Sequence, residues 1–163
     1  MGSLNEISFK ALIESFERIG VAYSGGLDST VLLHLLSREI AFTNKINAVH
    51  INHSISPDSD KWEEFCRKNA DELGVQFFSY KLEKMKNISE DNLRKIRYEK
   101  FNQWASSNDL ILTAHHKDDQ VETILFRFIR GTGLNGLKGI PAWRKDGNTQ
   151  FHRPLLNVPK REL

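Results

Sequence analysis

Short apolar runs alternate with segments of helical periodicity along most of this chain. Each run is long enough for one buried strand, and each is followed by a segment whose apolar side chains recur at three- and four-residue spacing. This alternation predicts an α/β fold with a mostly parallel, Rossmann-like sheet that carries helices on both faces. The predicted strands are residues 18–24, 45–52, 75–82 and 109–114.

The helical segments are predicted to pack on the two faces of the sheet. In the third segment one face is shared by Trp62, Phe65, Cys66, Asn69, Ala70 and Leu73, so Cys66 is predicted to be a core residue. Gly74 follows that segment where a left-handed cap is needed. In the fifth segment the apolar face is formed by Val121, Ile124, Leu125, Phe128 and Ile129. The segments are residues 5–17, a helix from residue 29, and residues 62–73, 92–106 and 118–130.

Composition excludes several classes of protein. The single cysteine, Cys66, cannot form an internal disulfide or a cysteine-only metal site. No run approaches the roughly 18 apolar residues that span a bilayer, and the N-terminus has no basic region followed by an apolar one. We therefore expect a cytoplasmic protein with no membrane partner.

Charge is divided unevenly between the two halves of the chain. Residues 1–80 contain 7 Lys+Arg and 11 Asp+Glu, a net charge of −4, whereas residues 81–163 contain 16 and 10, a net charge of +6. A basic half suits a polyanionic partner, because phosphate contacts dominate affinity for nucleic acids. A biased but merely solvated surface is the alternative, and charge alone leaves both open.

The motif Ser24-Gly25-Gly26-Leu27-Asp28-Ser29 joins the first predicted strand to a helix. Two glycines allow the backbone to approach an anion, and the N–H groups at the helix start attract phosphate. Asp28 would repel phosphate unless a cation lay between them, which predicts a role through Mg²⁺. The motif is neither a Walker loop nor a dinucleotide-binding Gly-x-Gly-x-x-Gly. An ordinary capped turn is the alternative interpretation.

A second polar motif, residues 114–123, crosses from the fourth predicted strand into a helix. Its carboxylates Asp118, Asp119 and Glu122 project away from the apolar face, and Asp118 and Glu122 lie one turn apart. They could equally be simple partners of the helix dipole. The adjacent His115 and His116 lack a clear third ligand for zinc.

The first motif resembles the signature of the N-type ATP pyrophosphatases, the PP-loop enzymes, whose fold is adenine nucleotide alpha hydrolase-like. The second motif narrows the resemblance to the N-terminal domain of the tRNA(Ile)-lysidine synthetases. The sequences 126–133, 49–53, 94–98 and 152–156 fit that family in order and spacing, and the match covers nearly the whole chain from about residue 18. One departure is Asn52, where the family more often has Asp.

The resemblance implies an ATP-dependent ligase that forms a carbon–nitrogen bond. The C2 carbonyl oxygen of the wobble cytidine in a CAU anticodon would attack ATP, giving adenylated cytidine and pyrophosphate. L-lysine would then displace AMP to give lysidine on tRNA(Ile). Residues 1–163 would form a single PP-loop domain, and residues 145–163 would begin a linker or helix toward missing C-terminal domains that recognise the tRNA. The sequence does not decide whether the protein is a monomer or a homodimer.

The resemblance also implies roles for particular residues. Asp28 and Asp119 would hold Mg²⁺, while Asp118 and Glu122 would handle the lysine amine and its proton. His115 would lie near the phosphates. Arg97 would meet charge on the α-phosphate or on tRNA phosphate, and Arg127 and Arg130 would bind tRNA. The ATP-binding residues would be Ser24, Gly25, Gly26, Leu27, Asp28, Ser29 and His53.

Three other functions compete with this interpretation. A PP-loop tRNA thiolase would also adenylate a tRNA base, but such enzymes use cysteine chemistry, and Cys66 is predicted to be buried. GMP and NAD synthetases share the loop, but the His-Asp motif and the basic second half fit them less well. A nucleotide-binding module without turnover is the third alternative.

Overall fold

The structure is a computed structural model that describes residues 9–83, 89–132 and 137–163. The strands are β1 (Ile19–Ala22), β2 (Ile46–Asn52), β3 (Gln76–Lys81), β4 (Leu110–Leu112), β5 (Trp143–Asp146) and β6 (Thr149–His152). The α-helices are α1 (Lys10–Glu14), α2 (Leu27–Ser37), α3 (Ser59–Glu72), α4 (Glu90–Trp104) and α5 (Lys117–Ile129). Short 3-10 helices lie at Ile40–Lys45 and Lys160–Glu162.

The six strands form one sheet in the order β3-β2-β1-β4-β6-β5. All neighbouring strands are parallel except β5, which is antiparallel to β6. The four predicted strands and the predicted α/β fold are thus confirmed. The carboxyl ends of β1, β2, β4 and β6 meet along one edge of the sheet, where ligands bind in folds of this kind.

Two apolar clusters cover the two faces of the sheet, because successive strand residues point to opposite sides. Helices α1, α2 and α3 pack on the first face and α4 packs on the second. In β1, Ile19 and Val21 belong to the first cluster, whereas Gly20 faces the second. A Cβ on Gly20 would lie 2.7 Å from both Trp104 and Ile111, so glycine lets α4 approach the sheet.

Residues 145–163 differ from the predicted linker or helix. Strands β5 and β6 form a hairpin whose two-residue turn contains Gly147, with a φ of 59°. Phe151, Leu155 and Val158 are buried in the core beyond it. Both strands are rich in polar residues, so hydrophobic periodicity did not reveal them, although Asp146-Gly147 is a known hairpin signal.

The face predicted for the third segment is only partly buried. Cys66 lies in the core as predicted, together with Ala70, whereas Trp62 and Phe65 are 48% and 50% exposed and their rings stack on each other. Gly74 does form the predicted left-handed cap, with a φ of 67°.

Helix α5 has the predicted apolar face, but that face is not covered. None of its described residues is buried, and Leu125, Phe128 and Ile129 are exposed. Polar contacts attach the helix to the rest of the described chain: Gln120 exchanges hydrogen bonds with the backbone of Ile140, and Arg127 donates to the carbonyl of Gly139. Periodicity identifies an apolar face but not what covers it.

The remaining boundaries agree with the sequence to within a few residues. The first helix is shorter than predicted, and residues 5–8 of that prediction lie outside the described residues, as does residue 133, the last of the sequence 126–133. Within the described ranges, no helix is long and apolar enough to cross a membrane.

An ion pair between the half-exposed Arg18 and the buried Asp109 joins the start of β1 to the segment that precedes β4. Arg18 donates to Asp109 Oδ1 at 3.2 Å and Oδ2 at 2.5 Å, and also to the Trp104 carbonyl. Asp109 is fully buried and accepts a further bond from the Ser106 N–H. The pair therefore holds two central strands in register at their amino ends.

Replacing Arg18 with alanine should lower the free energy of unfolding by about 3 kcal/mol, because it leaves the Asp109 carboxylate buried without its cation. Urea denaturation measures this loss. Lys61→Ala is the control, since it removes a cation from the exposed pair with Asp58 and should change stability by less than about 0.5 kcal/mol. Equal losses in the two variants would contradict the proposed importance of the pair between Arg18 and Asp109.

Candidate active site

A cavity of about 480 Å³ opens at the carboxyl ends of β1, β2 and β4. Residues from both sequence motifs line it, so the fold brings together segments far apart in the chain. The predicted site residues in its wall are Ser24, Gly26, Asp28, Ser29, His53, Arg97, His115 and Asp119. A cavity of this size is typical of small-molecule sites.

The loop between β1 and α2 is shaped by its own hydrogen bonds. Ser24 Oγ and Ser29 Oγ lie 3.0 Å apart, and Ser29 Oγ also donates to the Gly26 carbonyl at 3.0 Å. Gly25 has a φ of 78°, and a Cβ there would lie 2.5 Å from Cys66 Sγ. Trp62 Nε1 donates to the Ser24 carbonyl at 2.8 Å. The loop is therefore fixed from below by α3.

The start of α2 is open to an anion. Its N-cap is Gly26, which has no side chain to bond the N–H groups of the first turn. Those groups carry partial positive charge and lie beside the hydroxyls of Ser24 and Ser29. Leu27, the next residue, is exposed and contributes backbone rather than packing. The arrangement provides several donors to a phosphate group.

Asp28 and Asp119 face the same buried imidazole. His116 Nε2 lies 3.6 Å from Asp28 Oδ2, and Nδ1 lies 3.5 Å from Asp119 Oδ2. Asp119 also caps α5, because its Oδ2 accepts the His116 N–H at 2.8 Å. Asp28 Oδ1 is buried and has no hydrogen-bond partner among the described residues. A buried carboxylate oxygen without a donor is suited to a cation.

The histidines that line the cavity are neutral at physiological pH. Burial lowers the pKa of His115 to about 4, and the nearby positive charge of Arg153 adds to this effect. Burial likewise lowers the pKa values of His50 and His53. His115 Nδ1 lies 2.9 Å from Thr113 Oγ1, whereas His53 Nδ1 is buried without a partner in the part of the chain described. These rings offer hydrogen bonds rather than charge.

Two arginines supply the positive charge near the cavity. Arg97 stands at its mouth, and its charge helps to lower the pKa values of His53 and His115. Arg153, which the sequence did not single out, is only 3% exposed; it donates to the Pro141 carbonyl, and its Nε has no partner in the described ranges. Neither forms a salt bridge with a described carboxylate. Arg97 lines the cavity and can contact an anion there, whereas Arg153 is buried behind the wall and acts on His115 through its electric field.

Asp118 and Glu122 lie together, but not in this cavity. They line a neighbouring groove on α5 with Lys117 and Arg161, where Asp118 Oδ1 accepts the Lys160 N–H at 3.1 Å. The two motif carboxylates therefore face a different space from Asp119, which is on the same helical turn. A ligand bound by Asp118 and Glu122 would therefore lie in the groove, apart from a ligand at the glycine loop.

Arg127 and Arg130 lie near the end of α5. Arg127 Nη1 donates to the Gly139 carbonyl at 2.8 Å, and the Arg130 guanidinium lies 4.1 Å from the centre of the Phe126 ring. Arg127 thus has a structural contact, while Arg130 is exposed beside an aromatic side chain.

Several cavity residues were missed by the sequence prediction. Trp62 was predicted only to share a helical face with Cys66, yet it lines the cavity, and His50 lies in the motif 49–53 without having been singled out. The alternation of side chains along β2 could have identified His50, because His50 and Asn52 are two residues apart and point to the same face of the sheet. Asn52 itself is buried and donates to Asp60 and Glu63, so it ties β2 to α3.

The described carboxylates and histidines do not form a complete metal site. Across the three described ranges, no group of three or more His, Cys, Asp or Glu is arranged to hold a metal ion. Magnesium commonly takes one or two carboxylates and fills its other positions with substrate phosphates and water. The free oxygen of Asp28, beside the glycine loop, fits that mode of binding.

The lowered pKa values predict a stability that falls in acid. In the unfolded chain the four histidines His50, His53, His115 and His152 titrate near 6.5, whereas in the fold their pKa values are lower. The unfolded state therefore binds more protons below that pH. The free energy of unfolding should decrease from about pH 6.5 toward pH 4, by up to about 1.4 kcal/mol per pH unit for each histidine.

Urea denaturation across this pH range tests the prediction. His115→Gln should flatten the curve, because it removes a group that protonates only on unfolding, while His34→Gln, in an exposed part of α2, should leave it unchanged. A wild-type curve that does not slope would show that the histidines are not buried as described.

Comparison with known proteins gives concordant matches. Residues 3–163 match the family described as PP-loop domain. The chain is 38% identical to tRNA(Ile)-lysidine synthase of Legionella pneumophila strain Paris, over 94% of this chain and 36% of the relative. It is 42% identical to that of Pseudomonas syringae pv. tomato, over 88% of this chain and 33% of the relative. The chain thus spans about a third of the length of these relatives.

Solved structures support the same fold. The U34-tRNA thiolase NcsA from Methanococcus maripaludis, solved with its [4Fe-4S] cluster, aligns with a TM-score of 0.71 at 18% identity, covering 94% of this chain and 57% of that one. The phosphoadenylyl-sulfate reductase of Candida auris aligns with a TM-score of 0.58 at 15% identity, covering 98% and 77%. From its family match and its fold, the chain belongs to the PP-loop domain family.

Proposed function

We propose that this chain is the ATP-using part of a tRNA(Ile)-lysidine synthase. Relatives of that name match nearly all of its length. The observation that carries the proposal is the pairing of an open helix start, suited to phosphate, with the unpartnered carboxylate oxygen of Asp28, suited to a cation. That pairing fits ATP with Mg²⁺ better than it fits an uncharged ligand.

In the first step the loop binds the β- and γ-phosphates of ATP, which leave as pyrophosphate. The backbone N–H groups at the start of α2, with the hydroxyls of Ser24 and Ser29, hold the β- and γ-phosphates. The C2 carbonyl oxygen of the cytidine attacks the α-phosphorus, and the bond to the β-phosphate oxygen breaks to release pyrophosphate. Donors fixed before the reaction stabilise the charge that accumulates on the leaving group.

Asp28 and Asp119 would hold Mg²⁺ beside the phosphates. When bound, the ion neutralises phosphate charge that would otherwise repel these carboxylates. His116 lies between the two side chains and fixes their separation. Asp119 remains placed by the cap of α5 whether or not the cation is present.

Arg97 and His115 would act on the α-phosphate. Arg97 is positioned at the cavity mouth to balance its negative charge. His115 is neutral, so it contributes a hydrogen bond without binding phosphate so tightly that AMP is retained. His53, whose Nδ1 lacks a partner among the described residues, would gain one from the nucleotide.

In the second step the amine of lysine attacks C2 and AMP leaves. Asp118 and Glu122 would bind the ammonium group in their groove and accept the proton that it must lose before attack. The groove shares α5 with Asp119, so the two substrates would approach from opposite sides of one helical turn. Arg127 and Arg130, in the basic half of the chain, would bind tRNA phosphate.

A thiolase is the nearest alternative, and Cys66 argues against it. It is the only cysteine of the sequence, it is fully buried, and burial raises its pKa to about 11. A thiol with so high a pKa is a poor nucleophile near neutral pH.

The proposal is tested by incubating the protein with ATP, Mg²⁺, lysine and tRNA(Ile), and measuring AMP and pyrophosphate. Both products should appear only with tRNA. Asp28→Ala should reduce AMP formation at least about 100-fold, the range lost with a key electrostatic group, while the melting temperature stays close to that of wild type.

Asp71→Ala is the control, because Asp71 is exposed near the distal end of α3. It should retain full activity. Products formed without tRNA would refute the synthase assignment, and wild-type turnover by Asp28→Ala would refute the role of that residue.

A separate variant tests the lysine groove. Glu122→Gln should raise the KM for lysine at least about tenfold, because it removes a charged hydrogen-bond partner of the amine. Pyrophosphate release in the first step should not change. Glu64→Gln, on the exposed side of α3, provides the comparison. An unchanged KM for lysine in Glu122→Gln would place the lysine site elsewhere.

A further inference from the structure

Trp143 is a large aromatic side chain left half exposed at the edge of the sheet. It begins β5 and is paired in register with His152 of β6. The two rings stack with centroids 4.0 Å apart and planes at 19°. One face of the indole is thus covered by the imidazole, yet the residue remains 48% exposed. Its exposed area must therefore come from the opposite face and the ring edge.

His152 gives this indole a fixed support. Its Nδ1 lies 3.2 Å from the Ala142 carbonyl, and burial lowers its pKa, so the ring is neutral at pH 7 and donates from Nδ1. Both rings are therefore held in place before any ligand arrives. A third ring could stack on Trp143 with little additional loss of conformational freedom.

The stacked pair stands on the same edge of the sheet as the nucleotide cavity. The His152 carbonyl accepts the Thr113 N–H at 3.0 Å, and Thr113 in turn contacts His115 in the cavity wall. The cavity reaches β4, and β5 lies two strands further along. At the usual strand spacing this places Trp143 about 10 Å beyond β4. Trp143 does not line the cavity itself.

The charge around Trp143 suits a phosphate backbone. Residues 137–163 contain six Lys+Arg and two Asp+Glu, a net charge of +4. Lys145 is exposed on the same side of β5 as Trp143, two residues away. Arg153, which follows His152, is buried, so it adds to the positive potential of this region without contacting a ligand at the surface. An exposed aromatic face among cations is the usual arrangement for binding an unpaired base and its phosphate.

We propose that Trp143, supported by His152, stacks on an RNA base that flanks the reacting cytidine. This inference rests on the proposed function, because the RNA is the substrate named there. The cavity would hold ATP and the reacting base, and the neighbouring nucleotide of the single-stranded anticodon loop would lie on the indole. Trp143 is then a positioning residue for RNA and has no part in binding ATP.

The test measures RNA binding directly and does not require turnover. Wild type, Trp143→Ala and Trp143→Phe are titrated at low salt with an anticodon stem-loop RNA carrying CAU, and with versions in which one base beside the cytidine is removed. Trp143→Ala should weaken binding about tenfold, in line with the loss of one base stack, and Trp143→Phe by about threefold or less. The abasic RNA should bind equally to wild type and Trp143→Ala.

Ile40→Ala is the control, since Ile40 is an exposed apolar residue in the 3-10 helix that leads into the amino end of β2, at the edge of the sheet opposite the cavity. It should bind RNA as wild type does. The KM for ATP should be unchanged in both Trp143 variants. In nuclear magnetic resonance spectra of the wild type, the indole N–H signal of Trp143 is identified as the one that Trp143→Phe lacks. This signal should shift when RNA is added and should not shift with ATP alone.

Each outcome decides the proposal. Wild-type RNA affinity in Trp143→Ala, an equal loss in Ile40→Ala, or no RNA binding by the wild type would overturn it. So would movement of the Trp143 signal with ATP alone, which would assign the indole to adenine. Tryptophan-dependent RNA binding without any AMP formation would leave the stacking platform standing while refuting the ligase reaction.

Discussion

The contact between the glycine loop and α3 is the constraint on which the site depends. Gly25 lies against Cys66 and Trp62 so closely that a single Cβ would collide with the sulfur. Cys66 is itself part of the core that fastens α3 to the sheet. The loop is therefore an extension of the core rather than a flexible connection. Its donors are in place before a ligand binds, which is the condition for strong electrostatic stabilisation.

The electrostatics of the cavity follow from the same packing. Burial removes the charge from the histidines, so the local charges are those of Arg97, Arg153 and the carboxylates around His116. The cavity wall contains Arg97, which forms no salt bridge with a described carboxylate, and Asp28, whose Oδ1 has no donor among the described residues. An anion alone would leave the carboxylate of Asp28 without a partner, and a cation alone would leave the positive charge of Arg97 without one. A phosphate chain together with a divalent cation satisfies both.

The sequence predicted the parallel part of the sheet because Ile19, Val21, Leu110 and Leu112 belong to apolar runs with clear boundaries. It missed β5 and β6, whose pairing depends on neighbours rather than on periodicity. The site residues Ser24 to Ser29 could be predicted because their spacing has a direct physical meaning. Trp62 and Arg153 could not, since a helical face or a basic residue does not reveal which tertiary neighbour it will meet.

The uncovered helix α5 has a consequence for how the site is assembled. The glycine loop rests on the core, whereas Asp118, Asp119 and Glu122 belong to a helix without a buried side chain, attached by hydrogen bonds at Lys117, Gln120 and Arg127. Regions with few buried apolar contacts open at a lower free energy than the core does. The two halves of the site therefore belong to units of different local stability. Fluctuations that detach α5 would displace Asp119 together with Asp118 and Glu122 while the glycine loop stays in place.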